Sequence, residues 1–283
     1  VSVIGDLHTH SLFSDGTDSP RELVRKAKER GLCVLALVDH DTVEGLEEFL
    51  TEAKASGLEG IPGVEISTSI NRTRIHILGY FIDYREPSLL SFLSKMAKAR
   101  TENTREILLR LERLDLLHYA WESVLRHNPR KSWICSSDVF LAMMKDGFYS
   151  SLDQWPEFYH RYFGKESQAY LDLEGFTPAE AIDIILKAQG IPVLAHPKLV
   201  GDDRKIGELV ERGLMGIEVH YPVHGRADVE NYLHVAEKYD LLVTGGTDWH
   251  GELSEWRASL SEFGISEEEL ERLHARKDAI AVK

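Results

Sequence analysis

The chain has 283 residues, of which 43% are hydrophobic and 28% charged, and its formal net charge is −14. That composition predicts a packed, soluble fold rather than a disordered chain. The acidic balance argues against a duplex partner gripped through many phosphates, which calls for a basic surface.

No apolar run approaches the ~20 residues that cross a bilayer. No cationic and apolar leader precedes the first strand, so no signal peptide is expected in these residues, although a removed one would leave no trace. Two cysteines, Cys33 and Cys135, form no CxxC pair and no thiolate cluster. They read as buried or inert thiols of a reducing compartment. A cytoplasmic monomer without a membrane partner is the expectation.

The first eighty residues alternate strand and helix patterns. Val3 to His8 reads as a short buried strand. Ser19-Pro20-Arg21-Glu22 is a capping box with proline at the first helical position, so a helix is predicted from Pro20 to Arg30, ending at Gly31. Cys33 to Asp39 is a continuous apolar run, as a central parallel strand should be. A helix from Glu44 to Ala55 follows, then strands over Gly63–Ser67 and Ile75–Tyr80.

From Pro87 to Lys165 this rhythm stops. Leu89 to Leu117 has helical spacing, and shorter helical stretches surround Trp121, Val139 and Trp155. The segment 87–165 reads as an inserted helical subdomain between the barrel segments 1–86 and 166–283, with its Trp and Phe residues as its own core. Alternation then resumes. Thr177-Pro178-Ala179-Glu180 is a second capping box, and strands are predicted over Ile191–Ala195, Leu214–His220 and Leu241–Gly245. Alternating strands and helices imply parallel strands with right-handed crossovers. Seven strands of this kind close into a barrel or form an open doubly wound sheet. In either, function gathers at the carboxyl ends of the strands.

Residues of metal-binding type recur at those ends. His8 and His10 end the first strand, and His40 follows the second within Asp39-His40-Asp41. Glu65 ends the third, His76 lies on the fourth, His196 ends the fifth, and Asp248 and His250 follow the last. Taken singly, each has a bland reading: a solvated His-x-His pair, a helix-capping turn at Asp39-His40-Asp41, an exposed strand glutamate, a histidine at a turn. His220, His224, His234 and His274 show that histidine also occurs outside the pattern. The conjunction points to a multinuclear metal site, because buried unpaired ions are costly and coordination removes that cost.

Asp6-Leu7-His8-Thr9-His10, Ser14-Asp15-Gly16, Asp39-His40-Asp41-Thr42, Gly63-Val64-Glu65, His196-Pro197 and Gly246-Thr247-Asp248-Trp249-His250-Gly251 resemble the motifs of the PHP (polymerase and histidinol phosphatase) family. The resemblance covers nearly all of the chain outside the helical insertion. It implies a distorted seven-stranded (β/α) barrel and a site for two or three divalent transition metals. Carried over, one metal takes His8, His10, Glu65 and Asp248, a second takes Glu65, His76 and His196, and a third takes Asp15, His40 and His250. Six imidazoles and three carboxylates suit Mn, Fe or Zn better than Mg. The implied reaction is hydrolysis of a phosphate ester. A water bridging two metals would have its pKa lowered towards ~7 and become the nucleophile. Asp15, His40, Glu65 and His250 then stand at the reaction centre, and His224 is a candidate substrate contact or general acid.

The insertion resembles those members that act on 3′,5′-bisphosphonucleotides or on the 5′ ends of RNA. These relatives usually carry a Gly-Arg-Pro-His-like stretch where this chain has Cys135-Ser136-Ser137-Asp138, so a phosphate-binding arginine and a histidine are missing from that segment. Arg130 and Lys131, or Arg100 and Arg105, are candidates to replace them. The expected partner is therefore a nucleotide, another phosphorylated small molecule or a short single-stranded end, rather than duplex DNA. A small-metabolite phosphatase, an amidohydrolase-like enzyme and a metal-holding module without turnover are the competing readings.

Overall fold

The computed structural model describes residues 2–70, 73–129, 131–254 and 258–281. Seven strands form one sheet in sequence order: β1 (Gly5–Asp6), β2 (Val34–Leu37), β3 (Glu59–Ile70), β4 (Thr73–Tyr80), β5 (Ile191–Leu194), β6 (Gly216–His220) and β7 (Leu242–Gly245). The sheet curls nearly shut. Leu7 N–H donates to the Gly245 carbonyl at 3.1 Å, and Trp249 N–H to the His8 carbonyl at 3.2 Å. A parallel bridge joins Thr9 to Trp249 beyond the two strands. The architecture is a distorted barrel rather than an open sheet.

The expectation of parallel strands throughout is corrected at β4, which runs antiparallel to both β3 and β5. Only two residues separate Ile70 from Thr73. A parallel return needs a crossover of a dozen residues or more, so a link this short can only close a hairpin. β3 is also longer than its predicted core of Gly63–Ser67. Its residues 59–62 pair with β2 and its residues 63–70 with β4.

Inward and outward faces follow from period two. A Cβ on Gly60 would meet Ala53 and Phe49 of the helix Leu46–Ala55, and one on Gly79 would meet Ile185 of the helix Pro178–Lys187, so these glycines face outward. Their neighbours Ile61, Leu78 and Tyr80 belong instead to a buried cluster with Val34, Ala36, Val193 and Leu242. Ile61, Gly63 and Glu65 share one parity, and His76, Leu78 and Tyr80 share another, so Glu65 and His76 point inward above that apolar floor.

The helices are α1 (Pro20–Glu29), α2 (Leu46–Ala55), α3 (Pro87–Arg113), α4 (Trp121–His127), α5 (Ser136–Lys145), α6 (Trp155–Tyr162), α7 (Pro178–Lys187), α8 (Arg204–Glu211), α9 (Arg226–Tyr239) and α10 (Glu267–Ala281). Both predicted capping boxes are present: Ser19 with Glu22 opens α1, and Thr177 with Glu180 opens α7. The fold divides into two compact units, one of residues 1–92 and 175–283 and the other of residues 93–174. The first holds the barrel. The second is helical, and its aromatic residues pack on one another: Phe140 lies 5.2 Å from Phe158 and 5.5 Å from Trp155, ring centre to ring centre. Among the described residues no helix is long and apolar enough to cross a membrane.

Candidate metal centre

The chain bends sharply where it leaves the strands, and those bends carry the site. His196, just past β5, has φ 29°, and Asp248, just past β7, has φ 53°. Both are left-handed conformations that cost a non-glycine residue free energy and recur where function demands a side-chain direction. Gly246 lies so close to His8 that a Cβ there would strike the His8 backbone nitrogen and Cβ. Only glycine lets the end of β7 pass the first pair of histidines.

Glu65 is the hub. Its Oε2 lies 3.1 Å from His8 Nε2, 3.2 Å from His10 Nε2 and 3.2 Å from His40 Nδ1. Its Oε1 lies 2.9 Å from His76 Nδ1 and 3.1 Å from His196 Nε2. Asp248 Oδ1 stands 3.3 Å from His8 Nε2 and 3.1 Å from His10 Nε2. Asp15 Oδ1 stands 3.2 Å from His250 Nε2, and Asp15 Oδ2 is 3.8 Å from His40 Nε2. All nine donors named from the sequence converge here. Three sets have ligand atoms mutually within 4.8 Å: His8, His10, Glu65 and Asp248; His40, Glu65 and His76; and His10, Asp15, His40 and His250. His10 and His40 each belong to two sets, which spacing alone did not suggest.

The electrostatics keep the carboxylates charged. Burial pushes the Glu65 carboxyl up, but His40, His8 and His76 outweigh it and hold the group well below the ordinary range. Asp15 is held low by His250 and His40, and Asp248 by His8 and His250, each against the upward push of burial. Burial drives the His40 imidazole well below its usual value, although Glu65 and Asp15 pull the other way.

A divalent metal fits this donor set. His10 Nδ1 and Nε2, Asp15 Oδ1, Asp248 Oδ1 and His196 Nδ1 are buried and make no hydrogen bond. His10 Nε2 stands beside two carboxylate oxygens at angles that form none. His10, Asp15 and Asp248 thus bring unsatisfied atoms to donor sets whose ligand atoms lie mutually within 4.8 Å, and a cation is what such an arrangement stabilises.

Around the donors stands a layer of carboxylates that the sequence reading missed. Glu218 on β6 is fully buried; its Oε1 lies 2.9 Å from His8 Nδ1, and its Oε2 accepts the His196 N–H at 2.8 Å. Asp6 accepts from His8 N–H at 3.2 Å and from the Thr247 hydroxyl at 2.6 Å. Asp39 holds the loop that carries Asp15, accepting from the Ser11 amide at 2.7 Å and the Ser14 hydroxyl at 2.6 Å. The Tyr221 hydroxyl donates to Asp248 Oδ2 at 2.8 Å, leaving Oδ1 towards the histidines. A signal existed: Asp6 and Glu218 are acidic residues inside apolar strands, where a charge needs a partner.

His224 lies outside the three sets. Its Nδ1–H donates to the Val219 carbonyl at 2.9 Å, and its ring packs between Tyr221 and Tyr232. Burial lowers its pKa, so at neutral pH its Nε2 suits an acceptor better than a general acid.

The basic candidates lie in or beside the helical unit. Lys131 Nζ is 2.6 Å from Asp138 Oδ1, and Arg100 stacks over the Trp133 ring at 4.9 Å. Arg105 is half exposed, 3.9 Å from Glu102. Arg130 lies outside the described residues.

Relatives that cover most of the chain include the following three. A phosphoribosyl 1,2-cyclic phosphate 1,2-diphosphodiesterase of Eggerthella lenta is 29% identical over 88% of this chain and 95% of its own length. A 3′,5′-nucleoside bisphosphate phosphatase of Chromobacterium violaceum is 28% identical over 87% and 86%. A 5′-3′ exoribonuclease of Haemophilus influenzae is 35% identical over 87% and 89%. The crystal structure of a protein from Bifidobacterium adolescentis, described as a metal-dependent phosphoesterase, superposes with a TM-score of 0.85 at 28% identity, covering 96% of each chain. The PHP domain matches residues 6–175, which span the first four strands, the donors from His8 to His76 and the helical unit. The chain belongs to the PHP domain family and is a metal-dependent phosphoesterase.

Proposed function

We propose that the nine donors hold two or three transition metals, Mn, Fe or Zn, and that the enzyme hydrolyses phosphate esters of nucleotides or of short 5′-phosphorylated strands. The observation that carries the metal reading is the convergence of the donor atoms on Glu65, whose two oxygens face different histidines. His8, His10, Glu65 and Asp248 would hold one metal; Glu65, His76 and His196 a second; Asp15, His40 and His250 a third. When bound, such metals activate water and neutralise charge on a phosphoryl group.

The chain's own residues prepare that chemistry. The three carboxylates stay ionised because imidazoles surround them, so they offer anionic donors at neutral pH. Asp39 and its serine donors fix the loop that presents Asp15, and Tyr221 orients Asp248. Preorganised groups of this kind cost no rearrangement at the moment of reaction.

Two of the relatives described above are named for nucleotide or RNA substrates, which supports the nucleotide reading. The net charge of −14 supports a short substrate over a long polyanion. A small phosphorylated metabolite is the second reading, favoured by the Eggerthella lenta relative named for a phosphoribosyl cyclic phosphate. Elemental analysis of protein purified without chelator should find more than one transition metal per chain. The same preparation should be assayed on a 3′,5′-bisphosphonucleotide, a 5′-phosphorylated oligonucleotide, histidinol phosphate, a phosphoribosyl cyclic phosphate and duplex DNA. Turnover confined to the last three would overturn the nucleotide reading, and one metal or none, with no activity recovered on adding Mn, would overturn the cluster.

A further inference from the structure

We propose that Glu218 is a positioning residue that sets the proton on His8 and ties the His8 and His196 sides of the cluster together, so that the two metal positions sharing Glu65 fill together. The inference rests on the metal reading given above. Glu218 is fully buried on β6, between Ile217 and Val219. A carboxylate offers only acceptors, so His8 Nδ1, 2.9 Å from Glu218 Oε1, carries the hydrogen. With a metal bound, His8 Nε2 would then offer its lone pair to the cation it shares with Glu65 and Asp248. A ligating imidazole whose other nitrogen donates to a carboxylate is held in tautomer and in ring plane.

The second oxygen of Glu218 reaches another ligand. Oε2 accepts the backbone N–H of His196 at 2.8 Å. His196 sits at φ 29°, a conformation that needs support from its surroundings. Its Nε2 faces Glu65 Oε1, whereas His8 Nε2 faces Glu65 Oε2. One buried carboxylate therefore braces a ligand on each side of the bridging glutamate. A metal that orders His8 also orders Glu218, and through it the His196 turn that completes the neighbouring position.

Glutamine at this site has one carbonyl oxygen and one NH2 group. It would set a donor against either His8 Nδ1–H or His196 N–H, both of which are donors. Aspartate keeps the charge but is one methylene too short to reach both.

Protein stripped with a chelator should be titrated with Zn(II) against a competing chromophoric chelator, for wild type, Glu218→Gln, Glu218→Asp and Glu269→Gln. The last is a control, since Glu269 pairs with His220 at 3.1 Å, outside the donor sets. Wild type should take up the first two zinc ions in one phase. Glu218→Gln should split that phase and weaken it by roughly 10–100-fold, the usual loss when a partner of a metal-bound histidine is removed. Glu218→Asp should fall in between, and Glu269→Gln should match wild type. Long-range proton–nitrogen correlation on the zinc-loaded protein should show His8 protonated at Nδ1 in wild type. Melting of the metal-free proteins reads any purely structural loss separately, and Glu218→Asp stands in if Glu218→Gln does not fold. Wild type that takes up no zinc would overturn the metal reading and this inference with it. Wild type that binds zinc while Glu218→Gln and Glu218→Asp bind it equally well would overturn the role of Glu218 alone.

Discussion

In the helical unit Lys131 sets its ammonium 2.6 Å from the buried Asp138 carboxylate, Asp138 also accepts the Cys135 N–H at 2.9 Å, and Arg100 lies over the Trp133 ring. At the barrel mouth three carboxylates crowd against six imidazoles instead, and His10, Asp15 and Asp248 keep buried polar atoms that make no hydrogen bond. Both regions bury charge, but only one leaves it unsettled. A charge paired with its opposite inside one element network is consistent with stability. Three carboxylates and six imidazoles gathered on one small volume form a donor set that an added cation can occupy, and that is the mark of a working site.

The largest test of this contrast is Glu65→Ala. It removes the group shared by both sides of the cluster, and kcat on an aryl phosphate should fall by more than about 10³-fold, with metal content falling in parallel. Near-wild-type turnover would break the contrast at its centre. Cys33→Ser, at an exposed position, should leave kcat unchanged.

The second test uses pH. Burial pushes the His10 imidazole down, but Asp248 and Glu65 raise it from 6.5 to about 10. A group whose folded pKa is raised contributes stability that is full below its unfolded value and is lost as pH rises through its folded value. Metal-stripped protein should therefore melt at progressively lower temperature from about pH 6.5 to about pH 10. Metal affinity should rise over the same window, because coordination requires the neutral ring. Calorimetric melts at several pH values, beside metal titrations at the same values, would show the two trends diverging. A melting temperature that does not fall would remove His10 from the coupled set.

The third test turns to the helical unit. If Lys131 is held by Asp138 for stability, Lys131→Ala strands a buried carboxylate and costs about 3–5 kcal/mol in denaturant unfolding, and adding Asp138→Asn recovers most of it. If Lys131 instead holds substrate phosphate, the KM for a nucleotide rises while turnover of an aryl phosphate is unchanged. Measuring unfolding and both KM values on the same variants separates the two.

The smallest effect is expected at Arg105. Its exposed pair with Glu102 should contribute less than about 1 kcal/mol, so Arg105→Ala should leave the melting temperature nearly unchanged. A raised nucleotide KM in that variant would make Arg105 a substrate contact.

Much of the barrel was legible in the sequence because period and caps are local. Ser19 with Glu22 and Thr177 with Glu180 announce helices from four residues each, and Cys33 to Asp39 announces a buried strand by composition alone. The hairpin at β3 and β4 was also within reach, since the predicted strands left only seven residues between Ser67 and Ile75. It was overlooked because the βαβ rhythm on either side suggested a parallel strand. Helix α10 was missed for a different reason: its stretch Glu267–Ala281 is dominated by charged residues, and its buried contact rests on Leu273.

The sequence by itself determined the donor types and their places at strand ends, because a strand boundary is written in a few adjacent residues. The tertiary structure decided which donors meet. His10 and His40 each lie in two donor sets, Glu65 divides its oxygens between two groups of histidines, and Glu218 joins His8 to His196 across 188 residues of chain. Those pairings depend on barrel closure, on the reversed direction of β4 and on the left-handed turns at His196 and Asp248. Each is set by packing between segments far apart in the chain, and no local pattern records it.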